Sequence, residues 1–408
     1  MTGPTATPEP SWVPLVITVT LVQAVLALMS RSLPLFGMPL TSATGMPPEA
    51  VGQLSSATSF GSMIFYLWGP ALLIRLTSIR QLQIGCATSA VAMLFCIAGH
   101  WEGMLLAAFV IGLGYGPTAP AGSDLLMRVT PRHRRATIFS IKQAGVPLGG
   151  AAAGLLLPAV AAYYGGVAAA LGVAAALALV AAATLGLWKG AVDDAPPSRI
   201  RFNVVHMLLA PVRLLALVMH SSQLRLITAA GFSLGISQGV VMGFFPVFLS
   251  DHADWSVTAA GAAFALLQGL GIGGRVLMGW MSDRLGDPVR ALTWLCFVSG
   301  GTMALLATIG PASSTLWIAV LAALAGFTVI SWNGVFLTGL AEIAPKGRVG
   351  EATSAGTFIL FSGYVLCPLL MQGVVHLTGG YATGLVLAGL APAFAGVALM
   401  LGAGQRAR

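Results

Sequence analysis

The sequence predicts an all-α membrane protein with twelve transmembrane helices in two pseudo-symmetric six-helix bundles. Charged residues make up only 8 % of the 408-residue chain and apolar residues 57 %, whereas an ordinary soluble domain is roughly a quarter charged. Long apolar segments, each near the roughly 20 residues that a membrane span needs, take up most of the length. All but three of the 20 lysines and arginines fall in alternate gaps between those segments. Loops that keep Lys and Arg stay cytoplasmic, so the pattern places the chain in a cell inner membrane with both termini in the cytoplasm.

The spans are predicted at 12–36, 50–74, 82–99, 104–127, 137–162 and 166–188, then at 225–249, 257–282, 291–310, 316–341, 352–375 and 383–402. Basic gaps hold Arg75 and Arg80, then Arg128, Arg132, Arg134 and Arg135, then Lys189, Arg199, Arg201, Arg213 and Arg225. Further on come Arg284 and Arg290, Lys346 and Arg348, and the tail residues Arg406 and Arg408. The intervening gaps contain no lysine or arginine. Only the gap at 189–224 is long. It opens on Asp193-Asp194-Ala195-Pro196-Pro197, a flexible composition, and then mixes Arg201, His206 and Arg213 with leucines and valines, as an interfacial helix does. Three units follow: a bundle at 1–188, a cytoplasmic linker at 189–224 and a second bundle at 225–408. A shift of 214 residues lays Gly112 on Gly326, Pro131 on Pro345, Arg134 on Arg348 and Ser140 on Ser354, which suits the duplicated halves common among carriers.

Several function classes lose support. The basic residues sit singly in short loops and form no nucleic-acid-binding stripe. Cys86, Cys96, Cys296 and Cys367 all lie within apolar segments and have no metal-ligand spacing. HExxH, GxSxG and the P-loop are absent, so neither an enzyme, a metal site nor a cofactor is expected. GLGYG at 112–116 and GLGIGG at 269–274 lie in apolar helices with no strand before them, where a nucleotide fingerprint has no context. The expected partners are a small-molecule substrate and the lipid bilayer, with the chain acting as a monomer. No nucleotide-binding module is present, so a substrate or ion gradient is the expected drive, with coupling to a proton or a counter-anion and simple uniport all open.

The gap between spans eight and nine reads Gly279-Trp280-Met281-Ser282-Asp283-Arg284-Leu285-Gly286 and continues to Arg290. A glycine there lets helices approach closely, Asp caps or pairs near a helix end, and Arg holds the loop against the neighbouring bundle. The stretch resembles the GxxxDRxG loop motif of the major facilitator superfamily. That resemblance implies alternating access between two bundles, with the motif steadying the outward-facing state. The first-half copy departs from the pattern. Gly69 and Arg75 fit, but Ile74 stands where the family has Asp and Thr77 where it has Gly. Asp124 either supplies the missing acid to Arg75 or Arg80, or pairs with Arg128 one turn on. Lys142 to Gly150 is similar to the GP-and-GG motif of drug/proton antiporters with its order altered, which predicts a close-packed span five with a proline bend.

Arg31, Lys142 and Arg275 are the basic residues outside the loop pattern, and ionisable groups within a span face a partner or a water-filled pathway. A surplus of positive charge favours an anionic substrate. Arg275 lies eight residues before Asp283, about 12 Å along the helix, and its fork of donors suits a carboxylate. Its place resembles that of the substrate-binding Arg of oxalate/formate and monocarboxylate carriers. Lys142 lies about 10 Å into span five, and Arg31 falls towards the far end of span one. Gln238, Asn333, Trp332 and Tyr115 are polar or amphipathic residues in spans that the resemblance places around the pathway. The sequence thus predicts a secondary carrier of a small organic anion, a carboxylate above all. Proton-coupled multidrug efflux is the alternative within transport. A carrier-like receptor or a lipid-handling assembly factor is the alternative outside it.

Overall fold

The structure is a computed structural model that describes residues 12–36, 40, 44–45, 51–96, 100–190, 192 and 204–404. Long helices run through Trp12–Leu35, Val51–Leu72, Ser78–Phe95, Arg135–Tyr164 and Gly166–Gly186. In the second half they run through Ser222–His252, Val257–Leu285, Pro288–Leu306, Val349–Thr378 and Tyr381–Gly404. Spans four and ten are each made of two pieces, Trp101–Tyr115 with Pro120–Val129, and Thr315–Thr328 with Asn333–Ile343. Twelve spans result, close to the predicted bounds. Among the described residues nine are long and apolar enough by themselves to cross a membrane. Spans two, three and eleven are the others. Span two carries Gln53, Ser55, Ser56, Thr58, Ser59 and Ser62 within it.

Small residues set how closely the helices approach. Without a hydrophobic drive between helices in lipid, close van der Waals packing through Gly and Ala takes its place. Span five packs along span one at Gly145 and Gly149, where an added Cβ would meet the carbonyl oxygens of Thr20 at 2.7 Å and Ala24 at 2.0 Å. The expected close-packed span five is therefore present, but only on one face, because Gly150 and Gly154 have nothing within 4 Å of an added Cβ. The GLGYG run is packing too. Gly112 lies against the Thr58 carbonyl of span two and Gly114 against Gly85 and Ser89 of span three.

The two bundles meet at the end that carries the basic loops. There Leu126, Ile138 and Phe139 of the first half share one core with Trp332, Phe336 and Leu340 of the second. The gap between the halves contains the helices Val204–Leu208 and Ala210–His220. The latter packs on spans two, seven and eleven, with Leu214 and Val218 buried beneath it. These two helices fall in the stretch of the gap where a helix is expected, and residues 200–203 before them lie outside the described residues. The linker residues 193–197, Arg199, Arg201, Arg406 and Arg408 lie outside the described residues.

The two faces of span five make a direct test. Gly149→Ala forces a methyl onto a backbone oxygen and should lower the melting temperature in detergent by several degrees. Gly150→Ala meets open space and removes a helix-interior glycine, worth about 0.5–1 kcal/mol, so its melting temperature should match or exceed that of the parent. Equal losses in both would refute this packing.

Candidate functional site

Spans four and ten break at equivalent places, for different reasons. In span four, Pro117 lies within a 3₁₀ turn at Gly116–Thr118 and Pro120 opens the helix after it; neither proline can donate to the carbonyl one turn back. Span ten has no proline at 329–332. There the Ser331 hydroxyl donates to the carbonyl of Gly326 at 2.6 Å and competes with the backbone for it. The same oxygen lies 3.2 Å from the Gly271 carbonyl of span eight.

Arg275 serves the carbonyls that such breaks release. Its Nε donates to the carbonyl of Ile330, inside the span-ten break, at 3.1 Å. One terminal nitrogen donates to the carbonyl of Gln143 in span five at 3.0 Å. The helical donor for Gln143 would be residue 147, and Pro147 has no N–H. One buried guanidinium, 6 % exposed, therefore joins spans eight, ten and five and crosses between the bundles. Its other terminal nitrogen remains for a further acceptor.

Around Arg275 lies a layer of polar groups. Gln23 Nε2 donates to the Tyr115 hydroxyl at 3.0 Å, and Asn333 Nδ2 donates to Gln238 Oε1 at 3.1 Å. Each bond ties the first span of a half to the broken fourth span of that half. The hydroxyls of Tyr115 and Tyr364 both lie within electrostatic reach of Arg31 and Arg275, and the Arg31 side chain is exposed. Tyr115 and Tyr364 thus lie near both arginines, and Asn333, three residues past the Ile330 carbonyl that Arg275 holds, pairs with Gln238. Two members of the layer, Gln23 and Tyr364, escaped the sequence reading. A glutamine and a hydroxylated aromatic in otherwise apolar spans were the available signals.

Two predicted residues stand apart in this conformation. Lys142 is wholly buried, and its Nζ has no hydrogen-bond partner among the described residues. Gly122 of span four closes over it, since a Cβ there would come within 2.9 Å of Nζ. Trp332 is also wholly buried, edge-on to Phe336 in the shared core.

The contacts that close the basic-loop end centre on the start of span five. Asp283 accepts hydrogen bonds from the backbone N–H groups of Ala136 at 2.9 Å and Thr137 at 2.8 Å, so it caps a helix of the other bundle. A cap of this kind is worth about 1–2 kcal/mol. Gly279 lets the helices touch, because an added Cβ would lie 2.5 Å from the Ala136 carbonyl. Gly334 admits Ser140 in the same way, with an added Cβ 2.4 Å from the Ser140 Cα. Arg135 and Glu342 add an ion pair at 3.6 Å, worth under about 1 kcal/mol at such exposure. Gly286 ends span eight at φ +67°, a conformation in which Gly carries no Cβ penalty. The acid that starts span nine is Asp287, which caps the N–H groups of Val289 and Arg290.

Two motif expectations need correction. Arg284 does not reach the neighbouring bundle; its guanidinium lies 4.9 Å from the Trp280 ring centroid on its own helix, where the electron-rich π face of the indole attracts it. Gly69 does not bring two helices together either, because the space beside it is filled by the Phe65 ring of its own span. Asp124 shows the local pairing, accepting from Arg128 at 2.7 Å and from the Ser78 hydroxyl at 2.6 Å. Arg75 lies exposed just beyond span two.

Replacing Asp283 by Asn turns one accepting oxygen into a donor facing N–H groups, a loss of about 1–2 kcal/mol. That is roughly tenfold in the ratio of closed to open molecules. A cysteine placed at the wholly buried Ser140 position should then be alkylated about tenfold faster than in the parent background. No change in rate would show that this cap does not hold the end shut.

The sequence signature of the Major Facilitator Superfamily matches residues 20–368. An uncharacterised MFS-type transporter of Mycobacterium tuberculosis is 31 % identical over 318 residues, or 77 % of this chain and 68 % of that protein. A hexuronate transporter of Bacillus subtilis is 21 % identical over 372 residues, covering 86 % of this chain and 85 % of its own. Among solved structures, the fucose:proton symporter FucP of E. coli superposes with a TM-score of 0.76 at 15 % identity, over 96 % of this chain and 99 % of that one. FucP in its outward conformation superposes at 0.74 and 14 % identity, with the same coverage. With twelve spans, and with that signature over most of its length, the chain belongs to the major facilitator superfamily of secondary transporters.

Proposed function

We propose that the protein carries a small organic anion, a carboxylate, by alternating access across the inner membrane with its basic loops in the cytoplasm. One observation carries this reading. Arg31, Arg275 and two tyrosine hydroxyls share the central layer, whereas every Asp and Glu among the described residues lies in a loop or within two turns of a helix end. A buried guanidinium with a second one nearby and no carboxylate beside them favours an anionic guest. The relative named for hexuronate, a sugar acid, supports the same class.

In this reading the moving units are residues 1–188 and 225–408, tethered by 189–224, and they rock about the central layer. A carboxylate first meets the exposed Arg31 and then the free terminal nitrogen of Arg275. Tyr115, Tyr364, Gln238 and Asn333 supply neutral hydrogen bonds. An anion that draws Arg275 towards itself competes with the Gln143 carbonyl, so occupancy loosens a contact between the bundles. Opening at the basic-loop end also parts spans four and five from the second bundle and brings Lys142 within reach of the departing anion.

Thermal stabilisation of the purified protein tests the class, because a ligand bound only by the folded state raises its stability by mass action. A panel of small carboxylates, lipophilic cations and neutral sugars should give a shift with a carboxylate. That shift should vanish in Arg275→Gln and weaken in Arg31→Gln. Arg275→Lys should recover little, since an ammonium cannot reproduce the planar fork. Stabilisation by cations or neutral sugars alone would overturn the anion reading.

A further inference from the structure

We propose that the recess between the linker helix Ala210–His220 and the turn after span ten binds the phosphate of an anionic phospholipid. The recess has a volume of about 450 Å³ and is lined by Arg213, Ala216, Leu217, His220, Ser221, Pro345 and Arg348. It lies on the basic-loop face and is independent of the central layer.

The linker helix presents three faces. Leu214 and Val218 point inward and are buried. Arg213, Ala216, Leu217 and His220, spaced three and four apart, line the recess. Val212 and Met219 form the remaining face at 64 % and 51 % exposure, and Leu208 just before the helix is 64 % exposed. A helix with a buried face, a cationic face and an exposed apolar face lies in the membrane interface, with the apolar residues among acyl chains. The cationic recess then sits at the depth of the headgroups.

The charge balance favours an anion. Arg348 is paired with Glu351 through Nε and one terminal nitrogen, which leaves its other terminal nitrogen free to donate. Among the described residues no acid lines the recess beside Arg213. His220 is fixed by a bond from Nδ1 to the Ala216 carbonyl at 2.7 Å. Ser221 caps the start of the long span-seven helix, whose N-terminal end carries partial positive charge. Each juxtamembrane arginine adds attraction for an anionic leaflet. The exposed apolar strip beside the recess selects a lipid over a soluble phosphate, because only a lipid offers acyl chains to Val212 and Met219.

The linker helix touches span two of one bundle and span eleven of the other. A lipid seated between Arg213 and Arg348 therefore fastens the linker beneath the closed end.

The test compares the full-length protein with Arg213→Gln and with Arg80→Gln, which removes another exposed arginine on the same face. Each is melted in detergent with phosphatidylglycerol, phosphatidylcholine or inorganic phosphate, and native mass spectrometry reads the lipid retained. Phosphatidylglycerol should raise the melting temperature of the parent and of Arg80→Gln at least twice as much as phosphatidylcholine does. Arg213→Gln, unshifted without lipid, should lose most of that difference and retain less lipid. Equal shifts by the two lipids, or an undiminished shift in Arg213→Gln, would overturn the proposal. So would a shift of the same size with inorganic phosphate, which would make the recess a site for a soluble anion. If Arg213→Gln melts lower without lipid, retention of phosphatidylglycerol at a temperature below both transitions decides instead.

Discussion

A helix inside a bilayer cannot leave its carbonyls unbonded without a cost of several kcal/mol each. This chain breaks span ten and places a proline in span five, and each device releases an oxygen at the centre of the molecule. Arg275 takes both. The same side chain is therefore a structural requirement of two interrupted helices and the principal cation of the central layer. Removing it exposes two acceptors as well as deleting a charge. Its geometry also helps to hold the bundles together here, since it satisfies the Gln143 carbonyl when span five lies beside span eight.

The two halves reach the same design by different chemistry. The break at Gly116–Thr118 shifted by 214 residues falls on 330–332, within the second break. Prolines cause the first, and a serine hydroxyl with a neighbouring arginine maintains the second. Each half then ties its first span to its broken one with a side-chain amide, Gln23 to Tyr115 and Gln238 to Asn333. What the duplication keeps is the place where backbone pairing fails, because that is where side chains are free to act.

This division explains how much could be read from the sequence. Hydropathy and the alternation of basic loops located all twelve spans within a few residues, since solvent partition acts on composition. The Gly279–Asp283 motif was legible because a close approach and a helix cap are local requirements of residue type. The burial of Lys142 and Trp332, the place of Tyr364 beside Arg275 and the pairing of Arg135 with Glu342 were not. They depend on which faces meet, and a nearly uniform apolar span gives little sign of its orientation. Arg284 shows the limit well, because an aromatic one turn earlier on its own helix outcompeted the partner expected across the interface.

The closed end is held by two unlike seams, and the first-half motif explains the difference. Around span five the seam is polar and depends on geometry, with a carboxylate cap, a guanidinium on a carbonyl, and glycines that allow no larger residue. Around spans two and eleven, Ile74 occupies the place of the capping acid. There the Ser354 hydroxyl donates to the Tyr66 carbonyl at 2.7 Å, and Tyr66 meets Phe361 edge-on at 5.3 Å. Ring contacts of this kind contribute about 0.5–1.5 kcal/mol beyond their buried area and tolerate small slides, whereas a cap is lost once its oxygens move out of line. Rocking should therefore begin by breaking the span-five seam, with the aromatic seam acting as the hinge side. The guanidinium that binds the released carbonyls stands on the seam that parts first, so its two backbone contacts are among those that rocking must rearrange.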